Sequence, residues 1–277
     1  MIIKQLLEAL GPVCKTETQG FMEEALKAAG AAADAKSFAT ARALARANGG
    51  AAALRAHLEA GGFVGEDGKL TTGVKPFNVF ARVGSGVMKQ PGMDAENESL
   101  GDFGKRFVVA CNRPEADKDW KSEAPEHVGK VSMGARHRFI TTSDLSWDYF
   151  NVLAFGLDGD AKSLREAIEA LEAAMEAART FARGTANWSA SPDRLGMFFH
   201  CFPYNSVQSL HMHLVDLNET GPTFTHFAYK NLPAEAVLTV LRQELQQVEG
   251  RSQTAWLVGI AAVTVAVGAL LISRAKK

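Results

Sequence analysis

The residues from Leu195 to Asp216 read LGMFFHCFPYNSVQSLHMHLVD, and they carry the clearest pattern in the chain. Polar and apolar residues alternate from Ser209 onward, and this period of two is typical of a β-strand with one buried face. A strand would place Ser209, His211 and His213 on one face and three apolar side chains on the other. The pattern therefore predicts a row of polar groups on a strand whose opposite face packs in the core.

His211 and His213 lie next to each other on that polar face. Two imidazolium ions held this close would repel each other, and burial would deprive both of hydration. At least one of the two rings is therefore expected to be neutral near pH 7. A neutral imidazole held by its neighbours can act as a nucleophile, a base or a metal ligand.

A long helix and further strands are predicted around this segment. Lys162 to Arg183 has the strongest amphipathic helix pattern in the chain, with Asp160 as its N-cap. A last amphipathic helix is predicted from Pro233 to Val248. The predicted strands are Phe77–Val83, Arg106–Cys111, Arg136–Thr142, Leu195–Phe202 and Ser209–Leu217. Antiparallel strands with one long helix inserted late indicate an α+β fold.

The N-terminal part of the sequence has a different composition. Ala, Leu, Glu and Lys dominate residues 1 to about 62, and the glycine pairs Gly49-Gly50 and Gly61-Gly62 mark helix ends. We therefore predict an α-helical region over residues 1–70, followed by the α+β domain over residues 71–250.

A long uncharged run stands near the C-terminus. Ala255 to Ser273 reads AWLVGIAAVTVAVGALLIS, and a helix of this length would cross a hydrocarbon core of roughly 30 Å. Arg251 precedes the run and Arg274 follows it, which is typical of a membrane span rather than of a buried core helix. The run predicts a transmembrane tail anchor over residues 255–273 with the main domain in the cytosol. The mitochondrial outer membrane, another organelle membrane and a bacterial inner membrane are all consistent with it.

Composition excludes some kinds of function. The chain has 277 residues, with 30 basic against 31 acidic side chains and a formal net charge of −1. This balance provides no overall field for nucleic acid, so no nucleic-acid partner is expected. Cys14, Cys111 and Cys201 form no CxxC pair, which argues against a disulfide framework and against a thiolate zinc site. A reducing compartment fits these cysteines best.

The motif segment resembles the signature of the histidine triad family of nucleotide hydrolases and transferases, in which His-x-His-x-His is followed by apolar residues. Residues 209–215 read SLHMHLV, so serine stands where the family has its first histidine. The strand at Gly196 to His200, the pair Pro203-Tyr204 and the pair Asn205-Ser206 resemble elements that precede the triad in the family. The order of strand, long helix and motif hairpin is similar over residues 74–217.

The resemblance implies a role for each matching residue. His211 corresponds to the family's nucleophile, which attacks the α-phosphorus of a nucleotide and forms a covalent phosphoramidate. His213 corresponds to the third histidine, which would hydrogen-bond a phosphate oxygen. The implied phosphate- or nucleotide-binding residues are Asn205, Ser206, Ser209 and His137.

The same resemblance implies a function, a substrate class and a histidine-triad-like α+β fold. The protein would be a nucleotide hydrolase or nucleotidyl transferase that acts on dinucleoside polyphosphates or nucleoside phosphoramidates. A nitrogen nucleophile needs neither a metal nor another cofactor, because donors in the site stabilise the phosphoryl oxygens. Many members of the family pair, which allows a homodimer.

Two other functions are consistent with these residues. A membrane-tethered module that binds a nucleotide or a protein without turnover is suggested by the serine in the triad. A metal enzyme is the other, because His211 and His213, with His226 or Asp216 as a third ligand, could hold zinc or iron as in cupin-like barrels. The spacing counts against the metal enzyme, since Glu219 follows the second histidine by six residues rather than four or five.

Overall fold

A computed structural model of the chain describes residues 22–185, 188 and 194–250. The strands in these ranges are β1 (Phe107–Cys111), β2 (Arg138–Thr142), β3 (Leu195–Phe199), β4 (His211–Asp216) and β5 (Leu232–Pro233). They form one antiparallel sheet in the order β1-β2-β4-β3-β5. The motif strand β4 therefore lies in the middle of the sheet, between β2 and β3.

Helices connect and cover these strands. They are α1 (residues 22–29), α2 (Ala35–Ala47), α3 (Gly50–Ala60), α4 (Val79–Gly84), α5 (Met93–Glu98), α6 (Pro114–Lys118), α7 (Ala161–Gly184), α8 (Pro222–His226) and α9 (residues 234–250). Short 3-10 turns occur at Gly101–Lys105, Trp147–Phe150 and Val152–Ala154. Buried side chains of α2, α3, α7 and α9 share one hydrophobic core with the sheet.

Helix α7 confirms the predicted long helix. The side chain of Asp160 accepts hydrogen bonds of 2.9 Å from the backbone N–H groups of Lys162 and Ser163, so it caps the helix as predicted. The apolar stripe that includes Leu164 and Leu171 is buried. Because the rest of the helix surface is charged, α7 packs on the sheet by this one face.

Strand β4 shows the predicted alternation. Met212 and Leu214 are buried in the core on the side of α7. His211 and His213 project from the opposite face. The strand begins at His211 rather than at Ser209, because the residues before it turn to meet α4.

One predicted strand is wrong. Residues 77–83 are rich in Val and Phe, which favours a strand, but α4 occupies residues 79–84. Phe80 and Val83 are buried in a small cluster with Phe139 of β2, and the Phe80 and Phe139 rings are 4.9 Å apart. Two apolar residues three positions apart reach one neighbour from a helix but point to opposite faces of a strand. Packing on the sheet therefore overrides the local preference.

The predicted fold class is confirmed in part and corrected in part. The α+β architecture with an antiparallel sheet is present. The prediction also included a transmembrane helix, and within residues 22–185, 188 and 194–250 no helix is long and apolar enough to cross a membrane. Helix α7 has the length, with 24 residues, but its charged face makes it unsuited to lipid. Residues 255–273, on which the tail anchor was predicted, lie outside the described residues.

A buried ion cluster joins α2 to α9. The guanidinium of Arg42 is fully buried and donates to the carboxylate of Glu244, with a shortest distance of 2.7 Å. Arg46 donates to the same carboxylate at 2.6 and 2.7 Å. Arg42 Nη1 also donates to the carbonyl oxygen of Leu153 at 3.1 Å. The cluster satisfies charges that the surrounding apolar core could not tolerate alone.

Candidate functional site

A cleft of about 1220 Å³ opens on the face of the sheet opposite α7. Its lining includes Phe139 of β2 together with His211 and His213 of β4. Side chains of α4 and of residues 111–118 form part of its walls. The cleft is large enough for a ligand of nucleotide size.

Four buried histidines meet at this cleft. They are His137, His200, His211 and His213, each 4–6% exposed. The ring of His213 lies in the middle, with its centre 4.2 Å from His200, 5.0 Å from His211 and 5.2 Å from His137. His137 precedes β2 and His200 follows β3, the two strands that flank β4. The pairing of the strands therefore brings the rings together.

All four rings are neutral at pH 7. Burial lowers the pKa of His137 and of His200 to about 3, and the pKa of His211 to about 4. Burial also holds the pKa of His213 well below its ordinary value, and repulsion from the other rings adds to the effect. The expectation that at least one ring is neutral is therefore confirmed.

The tautomer of His211 follows from its hydrogen bond. Its Nδ1 lies 2.7 Å from the carbonyl oxygen of Ser209, and a carbonyl oxygen can only accept. The proton of the neutral ring is therefore on Nδ1, and Nε2 carries the free electron pair. The ring of Phe80 stacks on the imidazole with centres 4.3 Å apart and so holds its plane.

A second chain of hydrogen bonds sets the tautomer of His213. The backbone N–H of Met133 and the Nδ2 of Asn112 donate to His137 Nδ1 at 3.1 and 3.0 Å. His137 Nδ1 is thus an acceptor, so the proton of this neutral ring is on Nε2. That Nε2 lies 3.0 Å from His213 Nδ1 and donates to it. His213 must then carry its own proton on Nε2.

The Nε2–H of His213 is a buried donor without an acceptor. The atom is inaccessible to solvent, and no hydrogen-bond partner for it exists among the residues that the structure describes. An unsatisfied buried donor costs roughly 1–3 kcal/mol. An oxygen atom that reached this N–H would remove the cost, but because the atom is inaccessible to solvent, a neighbouring side chain must move before a ligand in the cleft can do so.

The hydrogen bond from His137 should determine the tautomer of His213. Replacing His137 with leucine is expected to leave both neutral tautomers of His213 populated, because nothing then donates to Nδ1. Imidazole ¹⁵N chemical shifts of the full chain measure the two populations. His137→Gln is the matched control, since its amide can still donate to Nδ1 and should keep the proton on Nε2. A single unchanged tautomer in His137→Leu would show that the ring is oriented by other contacts.

The structure brings together four of the six site residues predicted from the sequence. His137, Ser206, His211 and His213 line the cleft. Asn205 belongs instead to the turn before β4, where its Nδ2 donates to the carbonyl oxygen of Val207 at 2.8 Å. The lining of the cleft includes neither Asn205 nor Ser209.

Ser209 makes structural hydrogen bonds to α4 and does not line the cleft. Its hydroxyl donates to Asn78 Oδ1 at 2.6 Å and accepts from the backbone N–H of Ala81 at 3.1 Å. Asn78 in turn donates to the carbonyl oxygen of Gln208 at 2.8 Å. These bonds fasten α4 to the start of β4, and α4 supplies the Phe80 ring that packs on His211.

His200 and Lys230 are among the lining residues that the sequence prediction did not include. From the sequence His200 is as consistent with a core histidine as with a site residue, and the pattern GMFFH just before the motif strand is the signal that could have pointed to it. Its Nε2 donates to Asn231 Oδ1 at 2.9 Å, since the Nδ2 of that amide donates to a carbonyl oxygen. Lys230 lines the cleft as well, but no motif surrounds it, so the sequence alone had no signal for it.

The donor arrangement does not favour the metal enzyme. Within the described part of the chain, no group of three or more His, Cys, Asp or Glu side chains is placed to hold a metal ion. His213 Nδ1 is occupied by His137. Asp216, considered as a third ligand, pairs with Arg136 and Arg194 at 3.3 and 3.5 Å.

The site combines a nitrogen electron pair with a nearby hydrogen-bond donor. His211 Nε2 makes no hydrogen bond to any residue that the structure describes, and the His213 ring that carries the donor is 5.0 Å away between centres. Such a pair can attack an electrophilic centre and stabilise an oxygen bound to that centre.

Comparisons of the chain with protein-family models, curated proteins and solved structures returned no significant match.

Proposed function

We propose that the protein is a nucleotide hydrolase or nucleotidyl transferase in which His211 attacks the α-phosphorus of a nucleoside phosphate. The observation that carries the proposal is the 2.7 Å hydrogen bond from His211 Nδ1 to the carbonyl oxygen of Ser209. This bond leaves the electron pair on Nε2, in a ring that lines the cleft and stays neutral at pH 7. A neutral imidazole nitrogen is a competent nucleophile toward phosphorus.

The serine in the triad is compatible with this mechanism. Position 209 enters the hydrogen bond through its backbone carbonyl, which serine supplies as well as histidine does. The hydroxyl of Ser209 is used to hold α4 in place. The departure from the family's signature therefore leaves the nucleophile intact.

The reaction would proceed in two displacements. In the first, His211 Nε2 forms a bond to phosphorus while the bond to the leaving group breaks. A leaving phosphate departs with the electron pair, whereas a leaving amine departs with the pair and with a proton taken from water. Once a neighbouring side chain has moved to uncover it, the Nε2–H of His213 would donate to a non-bridging oxygen, where negative charge is concentrated. In the second, water or another acceptor attacks phosphorus and loses a proton, and the bond to His211 breaks.

The charge of the cleft favours an anionic ligand. The basic side chains in its lining are Lys89, Arg113, Lys118, Lys130, Arg138 and Lys230. The acidic ones are Glu96 and Asp117, and both pair with Arg138, at 2.9 and 3.1 Å. In a chain with a formal net charge of −1, this excess of positive charge is local to the cleft.

The cleft also has an apolar part that suits a nucleobase. Phe77, Val79, Met88 and Val207 line it. Phe77 is 60% exposed, and the guanidinium of Arg82 lies 5.8 Å from the centre of its ring. A planar base could be buried against such side chains while its phosphates reach the histidines. Dinucleoside polyphosphates and nucleoside phosphoramidates both have this form.

Trapping the covalent intermediate tests the proposal. The full chain is incubated with diadenosine tetraphosphate or with adenosine phosphoramidate, quenched and analysed by mass spectrometry. We expect release of AMP and an acid-labile adenylyl adduct on the peptide that contains His211. An adduct on another residue, or no turnover of either compound, would reject the assigned nucleophile. Binding without turnover would favour the module that only binds nucleotide.

A further inference from the structure

Lys230 is a buried lysine in the lining of the histidine cleft. Lys230 is only 8% exposed. The Nζ donates to the carbonyl oxygen of Tyr204 at 3.3 Å and lies 4.1 Å from the centre of the Phe227 ring. No carboxylate within residues 22–185 or 194–250 pairs with it.

This environment leaves a positive charge without a counter-ion. One carbonyl oxygen and one ring face satisfy only part of an ammonium group that has three donors. A buried charge without a partner is unfavourable, and burial accordingly lowers the pKa of Lys230. The charge of Lys230 also contributes to the lowered pKa of His200, of His211 and of His213, so the ammonium acts on three of the four histidines.

The other basic residues of the cleft differ from Lys230. Arg138 has counter-ions within the protein, because Glu96 and Asp117 both form ion pairs with it. Lys118 and Lys130 are not buried, so water can solvate their charge. Lys230 is only 8% exposed, and no carboxylate among the described residues pairs with it. An anion bound in the cleft would supply the counter-ion that the described residues do not provide.

We propose that Lys230 is an anion-binding residue. It binds a second phosphate of the substrate, next to the α-phosphoryl group that His211 attacks. That this ligand is a substrate rests on the proposed function, whereas the anion site itself does not. The donor on His213 serves the α-phosphoryl oxygens, and Lys230 serves a second phosphate. When the bond to a leaving phosphate breaks, its oxygen gains negative charge, which an ammonium group stabilises. The amine of a phosphoramidate gains no comparable charge, so Lys230 selects for polyphosphate substrates.

Calorimetric titration of the full chain with inorganic pyrophosphate tests the anion site. Lys230→Met should weaken pyrophosphate binding at least about 30-fold, as expected for loss of a buried charged partner. Lys230→Arg keeps the charge and should stay within about threefold of the wild type. The matched control is Lys162→Met, which removes one charge from a lysine that is 83% exposed and outside the cleft. Equal affinities of the wild type and Lys230→Met would overturn the proposal.

A measurement on the wild-type protein does not depend on the folding of a variant. Acetic anhydride acetylates free lysine amines, and mass spectrometry follows the rate at each lysine. Pyrophosphate should slow acetylation of Lys230 at least about tenfold while leaving Lys162 unchanged, because a bound anion covers the amine and raises its pKa. An unchanged rate at Lys230 under saturating pyrophosphate would contradict the proposal.

Steady-state kinetics separate the anion site from the nucleophile. Lys230→Met should lower kcat/KM for diadenosine tetraphosphate about 30-fold and that for adenosine phosphoramidate less than about threefold. Pyrophosphate binding that depends on Lys230, without any adduct on His211, would leave the anion site standing and reject the proposed function. If the adduct forms on His211 but Lys230→Met changes kcat/KM for neither substrate, the proposed function stands and the role of Lys230 as the anion site is rejected.

Discussion

Replacing His211 with asparagine should lower the turnover of diadenosine tetraphosphate on the order of 10⁴-fold and abolish the covalent adduct. The asparagine amide can still donate to the carbonyl oxygen of Ser209, so the start of β4 should keep its shape. It has no nucleophilic electron pair on nitrogen, so the first displacement cannot occur. Initial rates of AMP release, measured by chromatography, give the ratio.

The control for this prediction is His57→Asn, which alters a partly exposed histidine of α3 outside the cleft. It should retain the rate of the wild type. The pH profile is a second readout, because burial lowers the pKa of His211 to about 4. The electron pair on Nε2 is present above that pH, so the rate of AMP release should fall on the acid side only as the pH drops through about 4. A His211→Asn variant with more than about one per cent of wild-type activity would exclude His211 as nucleophile.

Replacing Glu244 with alanine should lower the free energy of unfolding by about 3–5 kcal/mol. The change removes the carboxylate that neutralises the fully buried Arg42 and also pairs with Arg46. Arg42 would keep hydrogen bonds to the carbonyl oxygens of Leu153 and Gly156 but would lose its counter-ion. Urea unfolding of the full chain, followed by circular dichroism, measures the loss.

The exposed pair between Arg165 and Glu249 is the control, since Glu249→Ala should cost less than about 1 kcal/mol. The pH dependence has a definite sign. Burial alone would raise the pKa of Glu244, but hydrogen bonds from Arg46 and Arg42 outweigh it and hold the pKa below its usual value. The stabilisation is therefore present above about pH 4.3, the unfolded value, and is lost as the pH falls through the lower folded pKa. A difference below about 1 kcal/mol at pH 7 would contradict the prediction.

The local elements near the motif were predictable from the sequence because each depends on neighbours along the chain. The apolar stripe and the N-cap Asp160 defined α7 within one residue at each end. The period of two in β4 correctly assigned His211 and His213 to the face opposite Met212. A periodic pattern reports which face of an element is buried, and burial of one face is what holds α7 and β4 in the sheet.

The contacts that make the site chemically specific depend on residues far apart in the chain. His137 and His213 are separated by 76 positions, yet a hydrogen bond between them determines where the proton of His213 lies. Ser209 could be assigned its structural role only once α4 was seen to pack beside it. Lys230 reaches the cleft from beyond the motif, and the absence of a carboxylate near it within the described residues is a property of the packed molecule.

The sequence by itself therefore determined the α+β class, the long helix and the pair of histidines on one strand face. The tertiary structure alone decided which groups surround those histidines, which tautomers they adopt and where a cation lacks its counter-ion. The physical reason is that hydrophobic periodicity is set by burial within one element. Hydrogen-bond direction and desolvation are instead set by neighbours that only strand pairing and helix packing bring within a few ångströms.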